Sequence, residues 1–532
     1  MQQVIMIGLD GATFTVLDRL MADGVMPFLR QFSTNGVRSK LFSTTNPLTP
    51  PAWISMLTGR NPGNHGVMDF LTPMQKEDGI FVKFNDSHDI QCETVWSIAG
   101  RQGKRVAGLN FYGMNPAFPV NGFLVSGFTP WKHLKRATWP PEFYQTVKSI
   151  ADIKKLGFDL EQEKKCLQDN QMSPDEAEVW LKSHMAREQN WFAVLENIMQ
   201  TDPCDLTAVV FDGVDKIQHL FWPYLLPELL PDGDDSQQRK IQNLCLDYYR
   251  QLDKIIAKIV GMAGDDCQVL ITSDHGFGTT TEIFYLNKWL HDQGYLTWSN
   301  PDVVDQVGQL TENRISSHMG LIDFKKTTAF AWTPSSNGVF IRQAKSPADP
   351  GIQPEEYEAF REKIRQDLLA FRDPDTGEQV VTQVLTREEA CPGKFSKMAP
   401  DLMLILRDHG MVSILNSDRS LIKRSEAAGC HHPEGILIAG GAGICSGKKI
   451  GSTNITDVTP MLLYGLGLPV PHDLEGEVPS ALYEPDFLKK HPVVKDGMTN
   501  PVAGGIPVRQ EDELTPKEEE AMLDQLRLLG YV

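Results

Sequence analysis

The chain has 532 residues, of which 41% are hydrophobic and 23% are charged, and this is the composition of an ordinary globular protein. Its length allows roughly three or four domains, although large α/β enzymes with insertions can form one unit. The formal net charge of −18 argues against general nucleic-acid binding, because contact with phosphate backbones requires a basic surface.

The cysteines and the first residues indicate the compartment. None of the eight cysteines forms a C-x-x-C pair, and in a chain of this length such scattered cysteines are typical of reduced, buried thiols. The first residues contain neither a basic n-region nor a cleavage site, and no apolar run reaches the roughly 20 residues needed to cross a bilayer. The sequence therefore predicts a soluble, cytoplasmic protein without a membrane partner.

The first predicted strand is Val4–Leu9, a short apolar run that ends at Asp10. A buried parallel strand that ends in a carboxylate places that group where α/β proteins bind their ligands. The alternative interpretation is a simple Asp-Gly turn. A helical pattern follows over 12–36, and Met26-Pro27 predicts a break within it.

Thr49 precedes two prolines and a short helical pattern over 52–58. As an N-cap, a threonine before proline would only begin the helix. The same position brings its hydroxyl next to unpaired backbone N–H groups at the positive end of the helix dipole, where a phosphoryl group binds well. His65, in the Asn-His-Gly turn that follows, is interpreted as a structural histidine.

The alternation of helices and strands continues and then changes. A helix is predicted over 94–101, and strands are predicted over Val106–Leu109 and 123–125. From 131 to 200 the pattern is helical and charged, and we interpret this segment as a helical insertion packed on the sheet or over the site. Ser173 begins a capping box within it, with proline at the first helical position.

The strand predicted at Leu206–Phe211 ends in a run that contains Asp215 and His219. If a helix begins here, side chains four positions apart share one face and can bind one metal ion. Carboxylate and imidazole are common ligands of zinc. The alternative is an ordinary acidic residue at a helix N-terminus with an unrelated histidine, and Asp212 is a competing carboxylate.

A third buried strand precedes an adjacent carboxylate and imidazole. The apolar run 269–272 is followed by Asp274 and His275. Both groups are good metal ligands, although Asp-His before glycine also suits a turn. Because Asp10, Asp215 and Asp274 each follow a predicted buried strand, we expect them to lie along the carboxyl edge of one α/β sheet.

Beyond the third strand, the polar segment 279–326 has less regular periodicity. We interpret it as a cap or lid insertion, and we expect substrate choice to lie in it and in the helical insertion. Strands over 327–332 and Gly338–Ile341 are expected to return towards the main core.

His431 and His432 precede a strand predicted over 436–439. Paired histidines in a loop are usually solvated, but a metal site assembled from the preceding ligands still lacks one. The chain ends in a mostly polar tail, 481–532, in which a second capping box predicts a terminal helix docked on the main body.

Taken in this order along the chain, the short motifs resemble the alkaline phosphatase superfamily, specifically its type I phosphodiesterase/nucleotide pyrophosphatase branch. The matching stretches are GLDG at 8–11, T-P-P-x(6)-T-G at 49–59, N-P-x-x-H-G at 61–66, D-x-x-x-H at 215–219, S-D-H-G at 273–276 and G-x-H-x-P-E-G at 429–435. The resemblance covers most of 1–480. It implies one α/β catalytic domain there, an alkaline-phosphatase-like three-layer α/β/α sandwich with a mostly parallel central sheet, which carries the helical insertion (131–200) and a small cap (279–326).

The resemblance also implies a site with two divalent metal ions, each held by three side chains, and a threonine nucleophile. These residues are Asp10, Asp274 and His275 at the first ion with the Thr49 oxygen, and Asp215, His219 and His431 at the second. A metal ion can activate a threonine hydroxyl as it activates bound water, whose pKa falls from about 15.7 to about 7. A covalent phospho-threonine would form and then be hydrolysed. Mixed Asp/His ligation suits Zn²⁺, with Mn²⁺ or Fe as alternatives.

One departure from the branch concerns nucleotide specificity. Its nucleotide pyrophosphatases carry an asparagine shortly after the His-Gly turn, which binds a phosphate oxygen, and Phe70 stands about there in this sequence. The C/S-x-P-x-R motif of the sulfatase relatives is absent around Thr49, so a sulfatase is not expected. Arg60 and Lys216 lie near the motifs and are interpreted as surface charges.

The expected function is a metal-dependent hydrolase of phosphodiester or nucleotide-like phosphoester bonds in small molecules. A phosphomonoesterase or phosphonate hydrolase could use the same site. A transferase of phospho-groups to an alcohol is a further alternative, and so is a metal-binding module without catalysis. The loss of a ligand or of Thr49 would be the sign of such a module, and all seven residues are present. The sequence leaves the oligomeric state open.

Overall fold

The computed structural model describes residues 3–76, 79–157, 173–230, 236–299 and 322–500, together with single helical positions at 519, 522, 523 and 526. The strands in this part are β1 (Val4–Leu9), β2 (Val37–Phe42), β3 (Leu71–Lys76), β4 (Gly79–Phe84), β5 (Val106–Leu109), β6 (Gly122–Val125), β7 (Thr138–Trp139), β8 (Leu206–Phe211), β9 (Gln268–Thr272), β10 (Gly276–Tyr285), β11 (Ala329–Phe330), β12 (Gly338–Ile341), β13 (Val381–Thr386), β14 (Leu402–Leu406), β15 (Val412–Ser413), β16 (Leu421–His432), β17 (Glu434–Gly441), β18 (Lys448–Lys449) and β19 (Thr453–Asn454).

The helices in the same part are α1 (Phe14–Ala22), α2 (Pro27–Asn35), α3 (Thr49–Thr58), α4 (Pro62–His65), α5 (Val95–Arg101), α6 (Phe143–Ile150), α7 (Ile153–Leu156), α8 (Pro174–Thr201), α9 (Gly213–Leu225), α10 (Ser236–Ala263), α11 (Leu286–Asp292), α12 (Tyr357–Ala370), α13 (Arg387–Ala390), α14 (Val458–Gly465) and α15 (Pro485–Lys490). Short 3₁₀ turns lie at Trp131–His133, Pro227–Leu229, Ser396–Met398, Ile455–Asp457 and Ser480–Leu482.

The largest sheet has the strand order β18-β2-β17-β9-β1-β8-β5-β6-β7, and β19 also pairs with β2. Its centre, from β9 to β6, is parallel, whereas β17 runs antiparallel to both of its neighbours. A mostly parallel sheet needs cover on both faces, because its strands carry apolar side chains on both sides. The prediction of an α/β fold around a mostly parallel central sheet is confirmed.

The two faces of this sheet bury two separate hydrophobic cores. Along β1, Ile5 and Ile7 point into one core and Val4 and Met6 into the other, because successive side chains of a strand alternate between faces. Helices α1, α2, α8, α9 and α10 contribute to the first core, and α3, α5 and α14 contribute to the second. Helices therefore cover the sheet on both sides, in three layers.

The predicted break in the first helical segment is confirmed. The chain forms α1 and α2 instead of one helix, and α2 begins with Pro27. Proline is well tolerated at the first helical position because its missing N–H would have no partner there. The carboxylate of Asp253, on α10, accepts the next two N–H groups, from Phe28 at 3.0 Å and from Leu29 at 2.8 Å. A distant side chain therefore caps this helix.

The segment 131–200 differs from the helical insertion that its pattern predicts. Its strand β7 pairs antiparallel with β6 and extends the edge of the main sheet. Helix α8 packs on the sheet through apolar residues such as Trp191 and Leu195, which lie in the first core. The capping box at Ser173 is confirmed. Residues 158–172 lie outside the described part of the chain, so the prediction stays untested there.

The strands β11 and β12 do not return to the main sheet, and that expectation is wrong. They form a four-stranded sheet in the order β11-β12-β14-β13, next to a three-stranded sheet in the order β15-β10-β16. Their apolar side chains bury a third core with α11 and α12, which runs from Phe284 to Leu421. We call this unit the cap. It extends well beyond the predicted 279–326, of which residues 300–321 lie outside the described part.

The tail begins on the main body. Leu482 and Tyr483 are buried in the second core. Residues 501–518 lie outside the described part, and the single positions at 519, 522, 523 and 526 are helical. Met522 and Leu526 are buried, and Leu526 packs in the second core. The burial of these positions agrees with a docked terminal helix, which stays a prediction for the tail as a whole.

Two further expectations concern thiols and membranes. Seven cysteines are described, all are free, and six of them are buried, as the sequence predicts. None of the described helices combines the length and the apolar character needed to span a bilayer.

Candidate metal centre

The predicted acidic ligands meet at one edge of the main sheet. Strands β9, β1 and β8 are adjacent and parallel, with Ile7 opposite both Val209 and Ile271. Their carboxyl ends therefore lie side by side, and each is followed by one of the aspartates. The strand β17 runs antiparallel to β9, with Leu437 opposite Thr272, so the residues just before β17 reach the same edge. This topology brings His431 to the aspartates.

The first group of candidate ligands is Asp10, Asp274 and His275, all buried. The Nε2 atom of His275 lies 3.3 Å from Asp274 Oδ2 and 3.6 Å from Asp10 Oδ1. The other oxygen of each carboxylate is held: Trp53 Nε1 donates to Asp10 Oδ2 at 3.2 Å, and the backbone N–H of Gly11 donates to Asp274 Oδ1 at 3.1 Å. Within the described residues, Asp10 Oδ1 and Asp274 Oδ2 are buried without a hydrogen-bond partner. Such oxygens fit a cation, because an unpaired buried carboxylate oxygen is costly.

The second group is built on α9 and the end of β16. The Oδ1 atom of Asp215 lies 3.4 Å from His219 Nε2 and 3.2 Å from His431 Nε2, and these two nitrogens are 3.0 Å apart. The Nδ1 atom of His431 lies 2.7 Å from the carbonyl oxygen of Pro47. A ring held in this way donates from Nδ1 and directs Nε2 towards the other candidate ligands of this group.

His275 connects the two groups. The ligand atoms of Asp215, His275 and His431 lie within 4.8 Å of one another, as do those of Asp10, Asp274 and His275. The rings of His275 and His431 stack with their centroids 3.6 Å apart. The site is therefore one continuous cluster of carboxylates and imidazoles, whereas the resemblance assigns His275 to the first ion alone.

Thr49 reaches the first group from the second face of the sheet. Helix α3 begins at Thr49 and not at 52, and Leu48 occupies the N-cap position, so the N-cap interpretation of Thr49 is wrong. Its Oγ1 atom lies 3.3 Å from His275 Nε2. Prolines 50 and 51 have no N–H, and that of Ala52 bonds to Leu48. Only the N–H of Thr49 is left in the first turn to bind an anion, so most of the positive charge for a phosphoryl group must come from elsewhere.

Burial and mutual repulsion set the ionisation of this cluster. Burial raises the pKa of the Asp10 carboxyl well above its usual range, and the charges of Asp274 and Asp215 add to this. Burial likewise raises the pKa of Asp274, while it lowers the pKa of His275. Burial also opposes ionisation of Asp215, but the neighbouring His219 and His431 hold its pKa well below the usual value. Crowded buried carboxylates next to neutral imidazoles are a suitable donor set for divalent cations.

Two side chains near the site were missed by the sequence analysis. The ring of Phe277 packs edge-on against His219 and His431, with centroids 4.8 Å and 5.2 Å away, and Trp53 holds Asp10. Both positions carry a local signal. Phe277 lies two residues after His275 in the chain, and Trp53 lies four residues after Thr49 on α3, so each shares a face with a predicted site residue.

Asp212 is not a competing ligand. Its Oδ1 atom accepts from Arg187 Nε at 2.9 Å, and its Oδ2 atom lies 3.1 Å from Lys216 Nζ. Lys216 is buried, and Arg60 pairs with Asp473 in a mostly buried position, so the interpretation of both as surface charges is wrong. The spacing of Asp212 and Lys216, four residues apart at a helix start, is the signal that could have predicted their pair.

The stretch after the His-Gly turn has a structural role. Phe70 lies in the second core, and its ring packs against Tyr112 and Phe128 with centroids 5.5 Å and 5.6 Å away.

His65 is fully buried, its Nε2 atom is 2.9 Å from the hydroxyl of Ser55, and burial lowers its pKa to about 3. Its interpretation as a structural histidine agrees with this environment.

Asp69 joins the main body to the cap. It is buried, and its carboxylate accepts from the hydroxyls of Thr333 and Ser335, each at 2.8 Å. It also lines a cavity of about 290 Å³ between the two units, together with Asn46 and Phe340 among others. None of the seven predicted site residues lines this cavity, so it is separate from the metal centre.

The pH dependence of stability should report on Asp69. Burial raises the pKa of its carboxyl from 3.8 to about 6. A group with a raised pKa stabilises the fold below its unfolded value and loses that contribution as the pH rises through the folded value. We therefore expect the unfolding free energy, relative to Asp69→Asn, to fall by about 2 kcal/mol between about pH 4 and pH 7. Urea denaturation at a series of pH values measures it. Parallel pH curves for the two proteins would contradict this expectation.

The comparisons with known proteins cover most of the chain. A family model described as type I phosphodiesterase/nucleotide pyrophosphatase matches residues 4–433, which include all seven predicted site residues. The comparison with curated proteins found no match. Phosphonoacetate hydrolase from Sinorhizobium meliloti 1021, solved with phosphonoformate, is 17% identical with a TM-score of 0.49, over 87% of this chain and 95% of that chain. Murine ectonucleotide pyrophosphatase/phosphodiesterase 5 is 13% identical with a TM-score of 0.48, over 88% of this chain and 95% of that chain.

Proposed function

Because the chain belongs to the type I phosphodiesterase/nucleotide pyrophosphatase family, and is thus a phosphoester hydrolase, we propose that it cleaves phosphodiester or nucleotide-like phosphoester bonds of small molecules. The finer part of this proposal is a site with two divalent metal ions and a threonine nucleophile. One observation carries it: the Thr49 hydroxyl lies 3.3 Å from His275, whose ligand atom lies within 4.8 Å of ligand atoms from both groups.

The donor set suits two ions of the zinc type. Asp10, Asp274 and His275 would hold one ion, and a second set would hold the other: Asp215, His219 and His431. The unpartnered oxygens of Asp10 and Asp274 support this assignment. When bound, two divalent cations supply Lewis acidity and charge neutralisation at a transferring phosphoryl group. Mixed carboxylate and imidazole ligation favours Zn²⁺, with Mn²⁺ or Fe as alternatives.

The side chains of this chain divide the reaction between them. The Thr49 oxygen loses its proton to solvent and attacks phosphorus, and the bond to the leaving oxygen breaks with its electron pair on that oxygen. Water then displaces the Thr49 oxygen and regenerates the hydroxyl. His275 and the start of α3 hold this oxygen in place, and Trp53 keeps the Asp10 carboxylate oriented. Positioning of this kind is the main contribution of a protein to phosphoryl transfer.

The proposal also covers organisation and location. We assign residues 1–480 to the catalytic domain, with the cap as its insertion, and 481–532 to a C-terminal tail. The free and mostly buried thiols support a reducing, cytoplasmic compartment.

The test compares two chromogenic substrates. Purified full-length protein, freed of metals by chelation, is supplied with Zn²⁺ or Mn²⁺ and assayed with bis(p-nitrophenyl) phosphate and p-nitrophenyl phosphate. We expect metal-dependent cleavage with a preference for the diester, because the chain belongs to a phosphodiesterase family.

The outcomes separate the alternatives. A preference for the monoester would keep the site and change the function to a phosphomonoesterase. Equal rates with and without metal would contradict the two-ion site. The metal-free protein serves as the control for spontaneous hydrolysis.

A further inference from the structure

We infer that Arg187 and Glu188, neighbours on α8, are positioning residues that orient the metal ligands Asp215 and His219. Neither belongs to the ligand groups, and both act on the turn Asp212-Gly213, which joins β8 to α9. This inference rests on the proposed metal centre, and its test is metal affinity. Both ligands lie within the first two helical turns after this short loop. The conformation of the loop therefore sets the positions of the Asp215 and His219 side chains.

Glu188 caps helix α9 from outside the helix. The N-cap residue Asp212 makes no side-chain capping bond. Instead, the first N–H of the helix, from Gly213, donates to Glu188 Oε1 at 2.9 Å. The hydroxyl of Tyr248, on α10, donates to the same oxygen at 2.8 Å. Glu188 is fully buried, so water cannot take over this cap if the side chain is lost.

The fit around Gly213 is tight. A Cβ atom at this position would lie 2.6 Å from the Tyr248 hydroxyl and 2.7 Å from Glu188 Oε1. These separations are shorter than any ordinary contact, so only glycine allows the two helices to approach the turn this closely. The start of α9 is therefore in direct contact with α8 and α10.

Arg187 fixes the other residue of the turn. Its guanidinium contacts both oxygens of Asp212, from Nε at 2.9 Å and from Nη2 at 3.2 Å. The Nη2 atom also donates to Asn110 Oδ1 at 3.2 Å, and the Asn110 amide donates to the carbonyl oxygen of Val210 at 2.9 Å. Two-point contact of this kind fixes direction as well as distance.

The proposed ligands Asp215 and His219 lie near the start of α9, so they depend on how this start is held. Asp215 is the third residue of α9, and His219 lies one turn later on the same face. Rotation or fraying of the first turn would displace both. Loss of Arg187 would remove the two-point contact with Asp212 and weaken the hold on the residues that precede both ligands.

The test measures Zn²⁺ affinity of the full-length protein by competition with a chromogenic chelator. Partners that orient metal ligands typically contribute 10–100-fold in affinity, so we expect a loss of at least ~10-fold at one of two sites in Glu188→Ala and in Arg187→Met. Glu188→Gln keeps an acceptor oxygen for both donors, and we expect it to stay within ~3-fold of the wild type. If Glu188→Gln keeps the wild-type Zn²⁺ affinity, the loss in Glu188→Ala comes from the missing acceptor and not from the missing side-chain volume.

A matched control lies on the same helix. Leu195 is buried in the first core and is two turns away from Glu188. Leu195→Ala should lower the melting temperature while it leaves Zn²⁺ affinity within ~2-fold, since a core cavity destabilises the fold without touching the loop that precedes α9. If Glu188→Ala does not fold, Arg187→Lys, which keeps the charge but loses the two-point contact, provides the same comparison.

Unchanged Zn²⁺ affinity in folded Glu188→Ala and Arg187→Met would overturn the inference, as would an equal loss in Leu195→Ala. The result is independent of catalysis. A wild-type protein that binds Zn²⁺ but hydrolyses nothing would contradict the proposed function alone. Hydrolysis by a wild type whose variants keep full affinity would contradict the inference alone, and a wild type that binds no Zn²⁺ would contradict both.

Discussion

Replacing Thr49 by alanine is expected to reduce metal-dependent hydrolysis of bis(p-nitrophenyl) phosphate on the order of 10³-fold or more, because the change removes the oxygen that we propose as the nucleophile. The side chain is partly exposed at the first position of α3, and it makes no capping bond, so the fold should tolerate the change. Circular dichroism and metal content should therefore match the wild type. The measurement is the initial rate at saturating Zn²⁺.

Thr49→Ser is the matched control for this experiment. It keeps a hydroxyl at the same position and removes only a methyl group, so we expect it to retain activity within ~100-fold of the wild type. Full activity in Thr49→Ala would exclude a covalent threonine mechanism. Equal loss in both variants would indicate that the methyl packing, and not the hydroxyl, is what matters.

The second large effect concerns metal and stability. Burial raises the cost of ionising Asp10 and Asp274 in the metal-free protein, and repulsion among the carboxylates of Asp10, Asp215 and Asp274 adds to it. Binding of Zn²⁺ removes this repulsion, so we expect the melting temperature of chelated protein to rise by several degrees on addition of Zn²⁺. At a free concentration 100 times the dissociation constant, one site contributes about 2.7 kcal/mol. Differential scanning fluorimetry with chelator and with Zn²⁺ measures the change.

The variant Asp10→Asn tests whether the negative charge of Asp10 lowers the stability of the metal-free protein. Asparagine keeps the size of the side chain and an acceptor for Trp53, but it removes one of the clustered charges. We expect the variant to melt at a higher temperature than the wild type in chelator, to respond less to Zn²⁺, and to lose hydrolysis. A variant less stable than the wild type in chelator would show that the carboxylate contributes to folding by itself.

Local sequence patterns predicted much of the scaffold of the site. Apolar runs that end in a carboxylate identified β1 and β8 with their bounds, and the neighbouring β9 within one residue. This was possible because a buried parallel strand must be apolar throughout, and its end must change character where it meets the sheet edge. The break before Pro27 and the capping box at Ser173 are also local, since each depends on residues within one helical turn.

The roles of several side chains depended on partners far away in the sequence. His431 belongs to a long strand and not to a solvated loop, and Thr49 meets His275, which is 226 positions away. Strands β11 and β12 have the pattern of core strands, but they bury it in the cap, because a pattern shows that a face is buried and not which surface covers it.

Local patterns predicted which candidate ligands follow which strands, placed a hydroxyl before the prolines, and gave the motif order that is typical of the family. The contacts of His275 with both groups of candidate ligands, the pairing of Asp212 with Arg187 and Lys216, and the cap of α9 by Glu188 became visible only in the folded chain. The physical reason is that composition and periodicity report burial and local conformation, whereas charge pairing and capping between elements depend on contacts that the folded chain alone creates.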